Sequence, residues 1–153
     1  MVAALLALHR AVEHGLEPWK KDLDRAGYPA PARADLIGEG LAELGGQPSS
    51  EASDLMPANF GEALGWLYVA DGSMLGGRVM RKAMVADGIS LDGLRFLDPY
   101  PGETGTRWQA FMAVMESECG AGRAARADIL KGGRDAFDLA RRLLVSPRPQ
   151  ESF

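Results

Sequence analysis

The stretch NFGEALGWLYVADGSMLGGRVMRKAMVA, residues 59–86, decides how the chain is read. Apolar residues recur at helical spacing, and Phe60, Leu64, Leu67, Val79 and Met84 are the expected buried positions. Gly61, Gly65, Gly72, Gly76 and Gly77 interrupt the pattern. At ~1 kcal/mol each relative to alanine, they weaken the helix by roughly 5 kcal/mol, so something else must compensate. Gly61 with Gly65 and Gly72 with Gly76 stand four residues apart, so each pair lies on one helix face and opens a place where a backbone or a flat ligand can approach. The glycines around Gly72–Gly77 also permit a bend. Three explanations compete: close helix–helix packing, a phosphate loop, and a kinked helix laid over a flat apolar cofactor. The phosphate loop is the weakest, because G-S-M-L-G-G lacks a lysine-serine ending and a preceding strand. Spacing alone leaves the other two open.

Outward from this segment the chain reads as further helices. Leu5, Leu8, Val12, Leu16, Trp19 and Leu23 mark one face of an N-terminal helix, with Pro18 kinking it or starting a new turn after Glu17 and Gly27 near its end. A short helix is expected from about Pro31 to Leu44, followed by a loop over residues 45–58. Residues 87–103 form a connector in which Pro99 and Pro101 exclude a continuous helix. Two more helices follow, from about Thr104 to Cys119 with Trp108, Phe111, Met112 and Met115 on one face, and from Arg123 to Val145 with Ile129, Phe137, Leu139, Leu143 and Leu144 apolar. No alternating run bounded by hairpin turns is present, so the expected class is all-α. The domain is expected over residues 1–145, with 146–153 a disordered tail.

Composition narrows the partners. A chain of 153 residues is one domain's length, and 19 glycines, about 12%, exceed the usual ~7%. The net charge of −4, with no basic run, argues against nucleic acid and anionic membranes. The apolar opening, Val2 to Leu8, is far short of a span of ~20 residues. A lone Cys119 fits a reducing cytoplasm.

The segment LGWLYVADGSMLGGRVMRKAM, residues 64–84, resembles the distal helix of the biliverdin-producing heme oxygenases, above all the bacterial branch that accompanies bacteriophytochromes, with its G-x-L-Y-V-x-[ED]-G-S-x-L-G-G signature. Residues 8–19, LHRAVEHGLEPW, are similar to that family's second helix. The W-x-x-F of Trp108–Phe111 and the R-D-A-F of Arg134–Phe137 are similar to its last two helices. The resemblance covers roughly Leu5 to Leu144. It implies a single helical domain that holds heme between two helices and cleaves it to biliverdin, carbon monoxide and iron, using O2 and electrons from a redox partner. Carried onto this chain, it makes Gly72, Gly76 and Gly77 the bend and the close approach to the ring, while Tyr68 and Trp66 either border the pocket or belong to the core. It puts Ser73 where animal-type members place an aspartate that organises distal water, which makes Ser73 the catalytic candidate.

The resemblance implies an iron ligand supplied by a histidine from a helix upstream of the one resembling LHRAVEHGLEPW, and this sequence is expected to start after that point or to be preceded by that helix in a longer reading frame. Only His9 and His14 are present, about 140° apart on their helix, so they cannot serve one site together. His14 falls opposite the apolar stripe and is expected in solvent. His9 flanks the stripe and is the candidate iron ligand, the alternative being a buried histidine with an ordinary hydrogen bond. Met74, Met80, Met84, Met112 and Met115 are expected as core filler. No Lys or Arg stands between Arg107 and Arg123, so the candidates for counter-charges to heme propionates are Arg78, Arg81 and Lys82, the alternative being a solvated helix face. If the first helix is absent, the apolar face it covers is exposed, which makes a homodimer the expected state. The competing function is a non-catalytic relative that binds heme weakly, binds a bilin or another flat ligand, or serves as an interaction module.

Overall fold

A computed structural model describes residues 1–30, 32–50 and 53–145. The tail expected at 146–153 and the helix start expected at Pro31 lie outside them. The described residues form an all-helical protein: α1 (Val2–Leu16), a 3-10 turn (Glu17–Trp19), α2 (Lys20–Ala26), α3 (Ala34–Glu43), α4 (Phe60–Ala86), a second 3-10 turn (Arg95–Leu97), α5 (Thr104–Gly120) and α6 (Arg126–Leu144). Pro18 does start a new turn, and Gly27 closes α2 in the left-handed conformation at φ 83°.

The glycines leave α4 unbroken over 27 residues, and none of its five adopts a positive φ. Its start is fixed by Asn59, whose Oδ1 accepts from the Glu62 amide at 2.9 Å while its Nδ2 donates to Glu62 Oε2 at 3.3 Å, a reciprocal cap. Lys131 of α6 donates to Glu62 Oε1 at 3.2 Å, which ties that cap to the neighbouring helix.

The main core joins Leu8, Val12 and Leu16 of α1, Leu23 of α2, Leu64, Trp66 and Leu67 of α4, Phe111 of α5 and Leu139 of α6. A smaller cluster unites Leu6 with Ile37 and Leu41 of α3 and with Phe96 and Leu97 of the second 3-10 turn. Gly61 and Gly65 belong to the first core for a steric reason. A Cβ on Gly65 would stand 2.2 Å from the Ile129 carbonyl oxygen and 2.4 Å from the Gly133 nitrogen, and one on Gly132 would stand 2.1 Å from the Glu62 carbonyl oxygen. The backbones of α4 and α6 therefore touch, and close packing explains this first glycine pair.

Several positions expected inside are outside. Val79 is 69% exposed, Phe137 61%, Met112 42% and Leu144 41%. Periodicity marks which face of a helix is apolar, and whether anything covers that face depends on neighbours that periodicity does not encode.

Glu118 closes the far end of α5. Its carboxylate is buried between Arg123, whose Nε donates at 2.7 Å, and Arg25 of α2, whose Nη2 donates at 3.2 Å. Hydrogen bonding from Arg123, supported by Arg25, holds the carboxyl below its ordinary range. A depressed carboxyl stabilises the fold above its unfolded pKa of about 4.3, and that contribution vanishes as pH falls through the lower folded value. Glu118→Gln is therefore expected to flatten the acid limb of stability against pH, read as the urea midpoint from pH 6 downward. An unchanged acid limb would remove Glu118 from the account.

Candidate functional site

At about 100° per residue, Tyr68, Gly72, Leu75, Gly76 and Val79 fall on one stripe of α4. This stripe is open. Tyr68 is 44% exposed, and an added Cβ at Gly76 would meet nothing within 4 Å. Trp108 of α5 forms one wall: its ring lies 5.2 Å from that of Tyr68, and its edge comes 3.6 Å from a Cβ built on Gly72. Met112 sits one turn further along α5. The second glycine group thus splits, because Gly77 points away from the stripe. A Cβ there would stand 2.4 Å from the Leu97 carbonyl oxygen, so Gly77 admits the connector to α4.

Beneath the stripe lies a buried polar cluster. Asp71, 1% exposed, accepts a hydrogen bond from the Tyr28 hydroxyl through Oδ2, and its Oδ1 has no partner. Burial raises the Asp71 carboxyl, against the pull of Tyr28's hydrogen bond and of the Arg33 charge. Burial and the neighbouring Asp71 raise the Tyr28 phenol. Arg33 enters from the start of α3, donating to the Ala70 carbonyl at 2.9 Å and to Ser73 Oγ at 3.2 Å. Arg107 stacks on Tyr100 at 3.8 Å. Arg33 and Asp71 are thus buried near one another, each hydrogen-bonded through one atom and each with another polar atom, Arg33 Nε and Asp71 Oδ1, left without a partner.

Ser73 is turned back onto its own helix, donating to the Ala70 carbonyl at 2.6 Å while accepting from Arg33. Arg78 is exposed on the flank of the stripe, Lys82 lies nearer to it at about 60° from Val79, and Arg81 falls on the opposite side of α4. Trp66 is fully buried and belongs to the core. His14 is exposed, as its place opposite the stripe requires. His9 is 1% exposed, its Nε2 has no partner, and burial assisted by the Arg33 charge lowers its pKa to about 3, so the imidazole is neutral.

The sequence gives no role to Tyr28, Arg33 or Asp71. One signal for them exists: a carboxylate within the apolar run WLYVAD needs a buried partner.

The heme oxygenase family model matches residues 42–146. The heme oxygenase PigA of Pseudomonas aeruginosa is 33% identical over 126 residues, which cover 74% of this chain and 61% of PigA. The heme oxygenase of Xanthomonas campestris pv. campestris is 34% identical over 131 residues, covering 82% of this chain and 74% of that protein. Among solved structures, the NO- and CO-bound heme oxygenase from Neisseria meningitidis superposes with a TM-score of 0.71 at 25% identity, covering 99% of this chain and 80% of that one. The chain belongs to the heme oxygenase family. It spans about three fifths of PigA's length and three quarters of the Xanthomonas protein's.

Proposed function

We propose that the protein is a heme oxygenase whose open α4 stripe receives the tetrapyrrole face. The observation that carries this reading is Gly76: an unobstructed glycine in the middle of an exposed helix face is a liability for the helix alone and an asset only where a flat group must touch the backbone. Heme, as the substrate, is opened to biliverdin, carbon monoxide and iron with O2 and electrons from a redox partner.

On this reading Gly72 and Gly76 set the closeness of approach. Tyr68 and Trp108 border the ring and exclude water from one side. Gly77 supports the same helix by admitting the connector, and Arg78 provides a counter-charge for a propionate. Ser73 fixes Arg33 against the Ala70 carbonyl, and Arg33 in turn sets the charge balance of the Tyr28–Asp71 pair. His9 is the candidate iron ligand on this reading, because its neutral imidazole is buried with Nε2 left without a partner.

The exposed apolar residues Leu130, Phe137 and Leu144, spaced seven apart on one face of α6 away from the stripe, support a homodimer as part of this reading. The free Cys119 supports a cytoplasmic setting. Among the described residues no helix is long and apolar enough to cross a membrane.

Titrating hemin into the purified protein is expected to give a saturable one-to-one complex with a sharp Soret band. Adding ascorbate or a ferredoxin system is then expected to replace that band with biliverdin absorbance. No Soret shift would end the enzyme reading, and a stable heme spectrum without turnover would reduce the protein to a heme-binding relative. An unchanged spectrum in His9→Ala would exclude that histidine as iron ligand.

A further inference from the structure

We propose that the cavity between α3, α4 and the connector is a second binding site, for a small amphipathic monoanion. The cavity holds about 310 Å3, with Leu36, Leu91 and Leu94 forming apolar wall and Arg81, Arg95 and Asp98 its charged lining. That volume lies at the lower end of small-molecule sites, which begin at roughly 300 Å3.

The two arginines are what distinguish it. Arg33 is held by the buried Ala70 carbonyl, Arg107 lies over the Tyr100 ring, and Arg25 and Arg123 are bound to Glu118, whereas here two guanidinium groups line one cavity. Arg81 and Arg95 have no ion-pair or hydrogen-bond partner among the described residues, in a chain of net charge −4. Asp98 does not neutralise them both. Its Oδ1 accepts the Thr104 hydroxyl at 3.1 Å, and neither guanidinium comes within ion-pair distance of it. Two guanidinium groups against one carboxylate leave a single net positive charge, which one anionic head balances and a dianion overshoots. Guanidinium forks suit a carboxylate or sulfonate head, and the leucine wall suits a ring-sized apolar body behind it.

The rim is preorganised. Pro99 and Pro101 limit the backbone of the connector there, and the contact of Gly77 with the Leu97 backbone seats that connector directly on α4. Arg81 stands one turn beyond Gly77 on the same face, about 180° around the helix from Val79, so this site is separated from the tetrapyrrole stripe by the body of α4. Its existence does not depend on the heme reading.

The test is calorimetric titration of the full chain with 1-naphthoate, alongside the neutral analogue 1-naphthalenemethanol and inorganic phosphate. Saturable one-site binding of naphthoate is expected, at least tenfold tighter than either comparison compound and weakened by added salt. The double variant Arg81→Gln, Arg95→Gln is expected to weaken it at least tenfold, and both positions are exposed, so circular dichroism should show an unaltered fold. Asp98→Asn is expected to tighten it severalfold, and Val79→Asp, on the far face of α4, to leave it unchanged. No saturable binding at millimolar naphthoate, equal binding of the alcohol, indifference to the arginine substitutions, or loss in Val79→Asp would each overturn the proposal.

Discussion

Gly132→Ala is expected to lower the thermal midpoint by roughly 10 °C, the largest effect of any single methyl group added to this protein. The added Cβ would lie 2.1 Å from the Glu62 carbonyl oxygen and 2.6 Å from the Glu62 Cα. Both are backbone atoms inside a helix, so no rotamer change relieves the clash. The only relief is separation of α4 from α6. That separation loosens the packing of Leu64 and Leu67 against Ala136 and Leu139, all of which belong to the main core. Overpacking in a well-filled interior costs about 1–3 kcal/mol and more where backbone must move, whereas the helix gains ~1 kcal/mol from exchanging glycine for alanine. A net loss of about 3 kcal/mol corresponds to roughly 6–12 °C in a domain of this size. Gly65→Ala should behave alike, since its Cβ meets Ile129 and Gly133 backbone. The double substitution should cost less than the sum of the two, because one separation relieves both clashes. Thermal denaturation followed by circular dichroism measures all three, and a midpoint unchanged in Gly132→Ala would mean that the two backbones do not meet there.

Gly76 should give the opposite pattern. With nothing within 4 Å of an added Cβ, alanine or leucine at this position removes only the conformational penalty of glycine in a helix interior. Stability is expected to rise by up to ~1 kcal/mol. A ring lying on the stripe, however, would be held off the backbone by the same side chain, so Gly76→Leu is expected to weaken hemin binding at least tenfold. Opposed signs in the two measurements, a higher thermal midpoint with a weaker Soret titration, distinguish a glycine kept for a ligand from one kept for packing. Hemin affinity unaltered in Gly76→Leu would place the ring elsewhere and leave the tetrapyrrole stripe without support.

These two substitutions also show where sequence reading stops. Gly61–Gly65 and Gly72–Gly76 have the same spacing in the same helix, so helical geometry gives both pairs the same description. What separates them is Gly132–Gly133 in α6, a partner distant in sequence that becomes decisive only once the helices cross. Helix positions were legible because apolar spacing, Pro18 and Gly27 act locally. The exposure of Val79, Met112 and Phe137 was not, since an apolar face records a preference for cover and not the cover itself. The cluster of Tyr28, Arg33 and Asp71 was only partly legible for a related reason: Asp71 within an apolar run asks for a buried partner, but Tyr28 and Arg33 come from separate segments and each alone reads as an ordinary residue. The signature around Gly72–Gly77 carried the family, while the division of labour inside it, with Gly76 open and Gly77 pressed on Leu97, came only from three dimensions.

The glycine crossing of α4 and α6 has a dynamic consequence. Helices whose main chains interlock have no layer of side chains between them to shear, so neither can slide or roll without breaking the contact. On its other side α4 meets α5 through the rings of Tyr68 and Trp108, 5.2 Å apart, a side-chain contact that an indole can slip along. Breathing of the stripe is therefore expected to be one-sided, with α5 supplying the travel, and hydrogen exchange should then run faster in α5 than in the amides at the α4–α6 crossing.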